Sequence, residues 1–171
     1  MSFWRNYYHI VWTTKNRLPL IRPGLEEIIF GYLIKQVAKM DSYVYAIGGT
    51  EDHVHVLIAI HPKHAVSDIV KQMKGASAHF MNKVISPNDH FEWQRGYGCL
   101  SLGMKQIPTA EAYIQNQKNH HAEGTTNNWL ERSSGLDEGP KDEDQVKDEN
   151  DPELSIREEA ASYIISDDFP F

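Results

Sequence analysis

An α+β fold, with a four-stranded antiparallel sheet, two helices on one of its faces and one extra helix, is predicted by three observations. Strand-like and helix-like segments follow one another as strand, helix, strand, strand, helix, strand. A further amphipathic segment follows the last strand, and apolar periodicity then stops near Ser133. Of the 171 residues, 40% are hydrophobic, enough to build the core of one domain of ordinary size.

Each element has its own signal. Tyr7 to Thr14 is β-branched and aromatic and reads as a strand. Leu25, Ile28, Ile29, Tyr32, Leu33, Val37 and Met40 recur at helical spacing, with Pro23 near the expected first turn. A second strand runs from Tyr43 to Ile47 and stops at Gly48-Gly49, and a third covers His53 to Ile60. Val66, Ile69, Val70, Met73, Phe80 and Val84 mark the second helix, with Ser67 or a neighbour as its N-cap. Gly96 to Leu102 reads as the fourth strand, and a last helix starts near Pro108 and continues from Glu111 to His121. The βαββαβ order suits a ferredoxin-like (RRM-like) sheet.

Composition narrows the function classes. Cys99 is the only cysteine, so an internal disulfide and a thiolate zinc cluster are excluded, and a reducing, cytoplasmic location is expected. No apolar run approaches the roughly 18 residues of a membrane span, and no signal-peptide pattern opens the chain. The net charge of −7 hides a split. Residues 1–132 carry 14 basic and 11 acidic side chains, a balance of +3, whereas residues 133–171 carry 3 and 13, a balance of −10. Two regions are expected: a domain over 1–132 and an acidic, flexible tail over 133–171, with a short helix through Tyr163-Ile164-Ile165. The mildly basic body permits nucleic-acid binding without arguing for it.

Three groups of residues carry candidate chemistry. On a strand His53 and His55 project from one face, while Val54, Val56, Ile58 and Ile60 point to the other. Two imidazoles on a rigid strand begin a divalent-metal site and leave further ligands to be found. In a random protein the same pattern is more often a histidine pair without a metal. Tyr113 and Gln117 are four apart and share a face of the proposed last helix, which His120 and His121 extend. A glutamine oxygen can ligate a hard cation, and a tyrosine one turn away would then approach a polarised phosphate; an ordinary amphipathic helix explains the segment equally well. Lys71, Lys74 and Lys83 on the second helix, with Arg5, Lys15 and Arg17 beside the first strand, could meet phosphates or be a solvated face. His9 and His79 read as packing or surface residues.

Taken together, five blocks resemble one family. They are Tyr8-His9-Ile10-Val11-Trp12-Thr13-Thr14-Lys15, Glu51-Asp52-His53-Val54-His55-Val56-Leu57-Ile58, Val70-Lys71-Gln72-Met73-Lys74-Gly75, Trp93-Gln94-Arg95-Gly96-Tyr97-Gly98, and Tyr113 through His121. In this order, over roughly residues 3–122, they look like the signature of the single-tyrosine HUH transposases of small bacterial insertion sequences and their REP-associated relatives. The resemblance implies that Tyr113 is the nucleophile, that His53 and His55 are the metal-binding pair, and that Gln117 is the third ligand. The implied cofactor is Mg²⁺ or Mn²⁺, the implied substrate single-stranded DNA with hairpin ends, and the implied assembly a homodimer. Strand transfer through a 5′-phosphotyrosine would need neither ATP nor another nucleotide cofactor. Lys74, Lys71, Lys15 and Arg17 are the expected DNA contacts.

The acidic tail falls outside the resemblance; it is expected either to solvate the chain or to compete with DNA for the basic face. Two other readings of the domain stay open: a nucleic-acid-binding module that has lost catalysis, and a metal-dependent phosphodiesterase that uses water.

Overall fold

The computed structural model describes residues 3–133 except Asn88 and Trp129. Nearly all of the expected acidic tail, with its helix through Tyr163-Ile164-Ile165, lies outside the described residues.

The strands are β1 (Tyr7–Thr13), β2 (Tyr43–Gly49), β3 (His53–Ala59) and β4 (Gly98–Leu102). They form one sheet in the order β2-β3-β1-β4 with every neighbour antiparallel, the order of a ferredoxin-like fold. Helix α1 (Glu26–Ala38) connects β1 to β2, and α2 (Val66–Phe80) connects β3 to β4, ending in a π-helical turn over Met81–Ile85. Helix α2 starts one residue before Ser67, and its cap position is Ala65, which has no side-chain capping bond.

Period-two alternation sorts the central strands into two faces. Ile10, Trp12, Val54, Val56 and Ile58 pack on Ile29, Leu33 and Val37 of α1 and on Ile69, Val70 and Met73 of α2. Trp93 closes this core: its ring meets Trp12 edge-on at 5.8 Å, and its Nε1–H donates to Ser77 Oγ at 2.9 Å. The opposite face carries His9, His53, His55 and Leu57. Here Ala46 and Leu57 pack on Ala110 and Ile114 of α3 (Ile107–Gln115). With both faces covered, every residue of β3 is buried, whereas a two-layer sheet would have left the histidine face open to water.

The final helical stretch departs from the sequence expectation. Instead of one helix to His121, α3 ends at Gln115 and α4 (Gln117–Glu123) begins after Asn116, whose φ of −100° and ψ of 16° break the spiral. The side-chain amide of Asn116 donates to the Ala112 carbonyl, which also accepts the Asn116 backbone N–H. Such local bonds compete with helix propagation. Tyr113 and Gln117 therefore belong to different helices. Helix α4 ends at Gly124, whose φ of +67° lets the Thr125 N–H return to the His120 carbonyl.

One glycine governs how closely α3 approaches the sheet. A Cβ on Gly48 would run into the carbonyl oxygen of Ile114, next to Tyr113. Gly48→Ala is expected to cost about 1–3 kcal/mol by forcing backbone apart, and to lower any activity of Tyr113 beyond what the fraction of folded protein explains. Chemical denaturation alongside an activity assay checks this; an alanine variant as stable and active as wild type would show that the contact does not set the helix position.

Candidate metal and nucleophile site

The site is assembled on the second sheet face around His53 and His55. Their alternation on β3 turns both rings the same way, and burial leaves them about 1% and 0% exposed. Each ring is held through Nδ1. His53 Nδ1 lies 2.5 Å from Asp52 Oδ1 and 2.8 Å from Thr50 Oγ1. Thr50 donates to the same carboxylate oxygen at 2.9 Å, and Arg17 donates to the other at 3.1 Å. The hydrogen bond from His53, then that from Thr50, hold the Asp52 carboxyl well below the usual carboxylate range.

His55 Nδ1 lies 2.9 Å from Nε2 of His9, and the two rings lie side by side, their centroids 5.0 Å apart and 16° between their planes. Burial first, and the neighbouring His55 second, push His9 down to about 3, so its ring is neutral at ordinary pH. Burial also lowers His55, against the pull of Glu131.

With Nδ1 engaged on both rings, the two Nε2 atoms are left inward and have no hydrogen-bond partner among the described residues. They face one carboxylate: Glu131 Oε2 is 3.5 Å from His53 Nε2, 3.3 Å from His55 Nε2 and 3.5 Å from His121 Nε2. Ligand atoms of His53, His55 and Glu131 all lie within 4.8 Å of one another. Gln117 is buried nearby on the sheet side of α4, and neither atom of its amide has a hydrogen-bond partner among the described residues. Bare buried imidazole nitrogens and an unsatisfied buried amide are costly unless something else satisfies them. A divalent cation would satisfy the imidazole nitrogens, and the two nitrogens with the Glu131 carboxylate fit one.

The other carboxylate oxygen of Glu131 reaches the phenol. Tyr113 donates its hydroxyl proton to Glu131 Oε1 at 2.5 Å, and the backbone N–H of Asn127 donates to the phenolic oxygen at 2.9 Å. The Tyr113 ring lies 6.1 Å from that of His55 and stacks on His120 at 4.7 Å. Burial and then the carboxylate raise the Tyr113 pKa above its ordinary value. Partial burial would raise Glu131 as well, but its contacts with His55, Tyr113 and His53 hold it down at about 2. The proton therefore rests on the phenol.

The structure thus brings His53, His55, Tyr113 and His121 around one point, with Gln117 buried on the same face. Sequence reasoning missed three contributors. His9 was read as packing, although it precedes Val11, the cross-strand partner of His55, by one same-face step. Asp52 lay inside a quoted block without a role. Glu131 stood at the edge of the expected tail, and only the apolar Leu130 beside it hinted at burial.

The expected DNA contacts lie apart from one another. Lys15 pairs with Glu92 and Arg17 with Asp52, each at 3.1 Å, at the end of β1. Lys71 is exposed on α2. Lys74 donates to the carbonyls of Gln94 and Gly96, both at 2.6 Å, and burial lowers it to about 8. Among the described residues no helix is long and apolar enough to cross a membrane.

A ferredoxin-like sheet with a histidine pair on its middle strand and a tyrosine on a following helix is the arrangement of a DNA-processing enzyme of the HUH tyrosine type. The chain belongs to the IS200-like transposase family, whose model matches residues 2–117. It is 33% identical over 123 residues to the ISDra2 transposase TnpA of Deinococcus radiodurans, covering 64% of this chain and 82% of that one. A crystal structure at 1.90 Å resolution, described as a transposase from Deinococcus radiodurans R1, matches with a TM-score of 0.55 and 25% identity over 68% of this chain and 95% of its own. A REP-associated tyrosine transposase bound to a REP hairpin shares the fold, with a TM-score of 0.54 and 15% identity over 74% and 76% of the two chains.

The charge pattern of the site makes metal-free stability pH-dependent. Native His9 stays neutral down to about pH 3, whereas an unfolded histidine takes up a proton near 6.5. The unfolded chain then binds more protons over that window, so stability falls as pH falls. Glu131 acts lower: its contribution is complete above about 4.5 and is lost toward pH 2. Melting temperature of metal-free protein should drop below pH 6.5. Glu131→Gln should flatten only the limb below 4.5; a variant curve parallel to wild type throughout would rule out this role for the carboxylate.

Proposed function

We propose that this transposase nicks and rejoins single-stranded DNA through a covalent 5′-phosphotyrosine on Tyr113, with Mg²⁺ or Mn²⁺ held by His53, His55 and Gln117 and Glu131 as a further oxygen donor. The observation that carries this reading is the hydrogen bond from the Tyr113 hydroxyl to a carboxylate that itself faces both imidazoles. A phenol so placed can reach a phosphate bound at the same point, and a phenol in any ordinary amphipathic helix could not.

A cation held by these residues would offset charge that builds on a scissile phosphate. The remaining steps belong to the chain. Tyr113 Oη attacks phosphorus, its proton passes to Glu131 Oε1, and the P–O3′ bond breaks; the departing O3′ takes up a proton from solvent to leave a free 3′-hydroxyl. The Asn127 N–H, already on the phenolic oxygen, stabilises the charge that develops there. The new phosphotyrosine retains the energy of the broken phosphodiester, so an incoming 3′-hydroxyl can displace Tyr113 without ATP. Arg17, which holds Asp52 behind His53, and Lys15, Lys71 and Lys74 are proposed to hold phosphates of the DNA. Hairpin-ended single strands are the proposed substrate, consistent with the hairpin carried by the REP-associated relative. The residues 1–132 would form the catalytic domain, and the acidic 133–171 an appended tail.

Incubating labelled single-stranded hairpins with the protein and Mn²⁺ should give a protein–DNA adduct, absent in Tyr113→Phe and in His53→Ala. Retention of cleavage in Tyr113→Phe would instead indicate water as the nucleophile. A proposed homodimer is compatible with a site complete in one chain, and this has its own consequence. Mixing Tyr113→Phe with His53→Ala protein should restore no nicking, and recovery in the mixture would show that the tyrosine serves the partner's histidines.

A further inference from the structure

The two candidate ligand histidines are held from behind by different chemistries. Behind His53 is a carboxylate, Asp52, itself fixed by Thr50 and Arg17. Behind His55 is another imidazole. His9 is about 1% exposed, comes from β1, and meets His55 nearly in one plane through the 2.9 Å contact between its Nε2 and His55 Nδ1. Its own Nδ1 has no hydrogen-bond partner among the described residues. A histidine kept only for packing would gain more as leucine or phenylalanine, because burying an unsatisfied ring nitrogen is costly.

We propose that His9 is a positioning residue that fixes the tautomer and ring plane of His55 for a cation, an inference that rests on the metal reading above. The proton accounting admits one arrangement once a cation occupies His55 Nε2. The His55 proton is then on Nδ1 and donates to His9 Nε2, which must be a bare acceptor, so His9 carries its proton on Nδ1. The near-coplanar hydrogen bond from β1 sets both the rotation of the His55 ring and which of its nitrogens faces the site. An imidazole acceptor also differs from a carboxylate in adding no negative charge. Asp52 and Glu131 already bring two near the site, and a third would weaken the attraction of the cation for a phosphate.

Two measurements on the full chain test this. In ¹⁵N-histidine-labelled wild type loaded with diamagnetic Zn²⁺, a nitrogen–nitrogen coupling across the hydrogen bond should connect His55 Nδ1 to His9 Nε2. Its absence, or a proton found on His9 Nε2, overturns the proposal without any mutation. Mn²⁺ affinity, read from the resonance of free Mn²⁺, should then weaken by roughly 10–100-fold in His9→Leu. In His9→Gln, whose side-chain oxygen can accept the same bond, it should return to within a few-fold of wild type. Equal affinity in wild type and His9→Leu counts against the role, as does a failure of glutamine to rescue when both variants melt like wild type. Mn²⁺ binding that is indifferent to His53→Ala would remove the metal reading itself, a result distinct from either of these.

Discussion

The whole site depends on one constraint: two buried imidazole nitrogens on one sheet face are met, among the described residues, only by a single carboxylate, at 3.5 and 3.3 Å. His53 and His55 occupy positions on a central strand where burial is nearly complete. Their Nδ1 atoms are engaged from behind and their Nε2 atoms are left facing inward. Without a ligand such an arrangement is expensive, since each buried nitrogen gives up water and gains no full partner. The unengaged pair of nitrogens is what gives the face its chemistry. The surrounding structure holds those nitrogens toward Glu131 and places the Tyr113 phenol on the same carboxylate.

Small side chains provide that reach. Ala46 and Gly48 on β2 and Ala110 on α3 let the helix lie close to the sheet, with Ile114 filling the contact over Leu57. Tyr113 stands next to Ile114, so the same packing that buries the isoleucine brings the phenol beside the His55 ring. The break at Asn116 then redirects the chain, and α4 carries Gln117 inward and His121 toward His53. A continuous helix would have held Tyr113 and Gln117 in fixed relation one turn apart. Two short helices orient them separately, which suits a site whose donors must converge on one point.

Local features of the site were legible in the sequence, and cross-chain ones were not. The His-x-His alternation on a β-branched run fixes the shared orientation of two imidazoles by strand geometry alone, and the sheet bears it out. The strand and helix order was equally readable, because each element announces its own period. Glu131 could not be read: eighteen residues after Tyr113, its position depends on how the segment after α4 folds back. His9 could not be assigned either, because its role arises from the pairing register between β1 and β3, which the sequence of neither strand states. Apolar spacing carries the last helix through Asn116, where the structure breaks it, because spacing is blind to a side chain that bonds nearby backbone.

Charge compensation links these separate pieces. A divalent cation on the two neutral imidazoles would be matched by Glu131 and, one bond further out, by Asp52, whose second oxygen is tied to Arg17. A phosphodiester entering that site adds negative charge where compensation is already near balance. Something must then move or take up a proton, and Glu131 is placed to do so. Its two oxygens divide between the cation side and the phenol. In the proposed strand transfer the phenolic proton would cross to Oε1, so that the carboxylate would lose its charge as the tyrosine gains the one that phosphorus then consumes. The depressed carboxylate and raised phenol of the resting site would be the two ends of the single proton transfer that the proposed reaction requires.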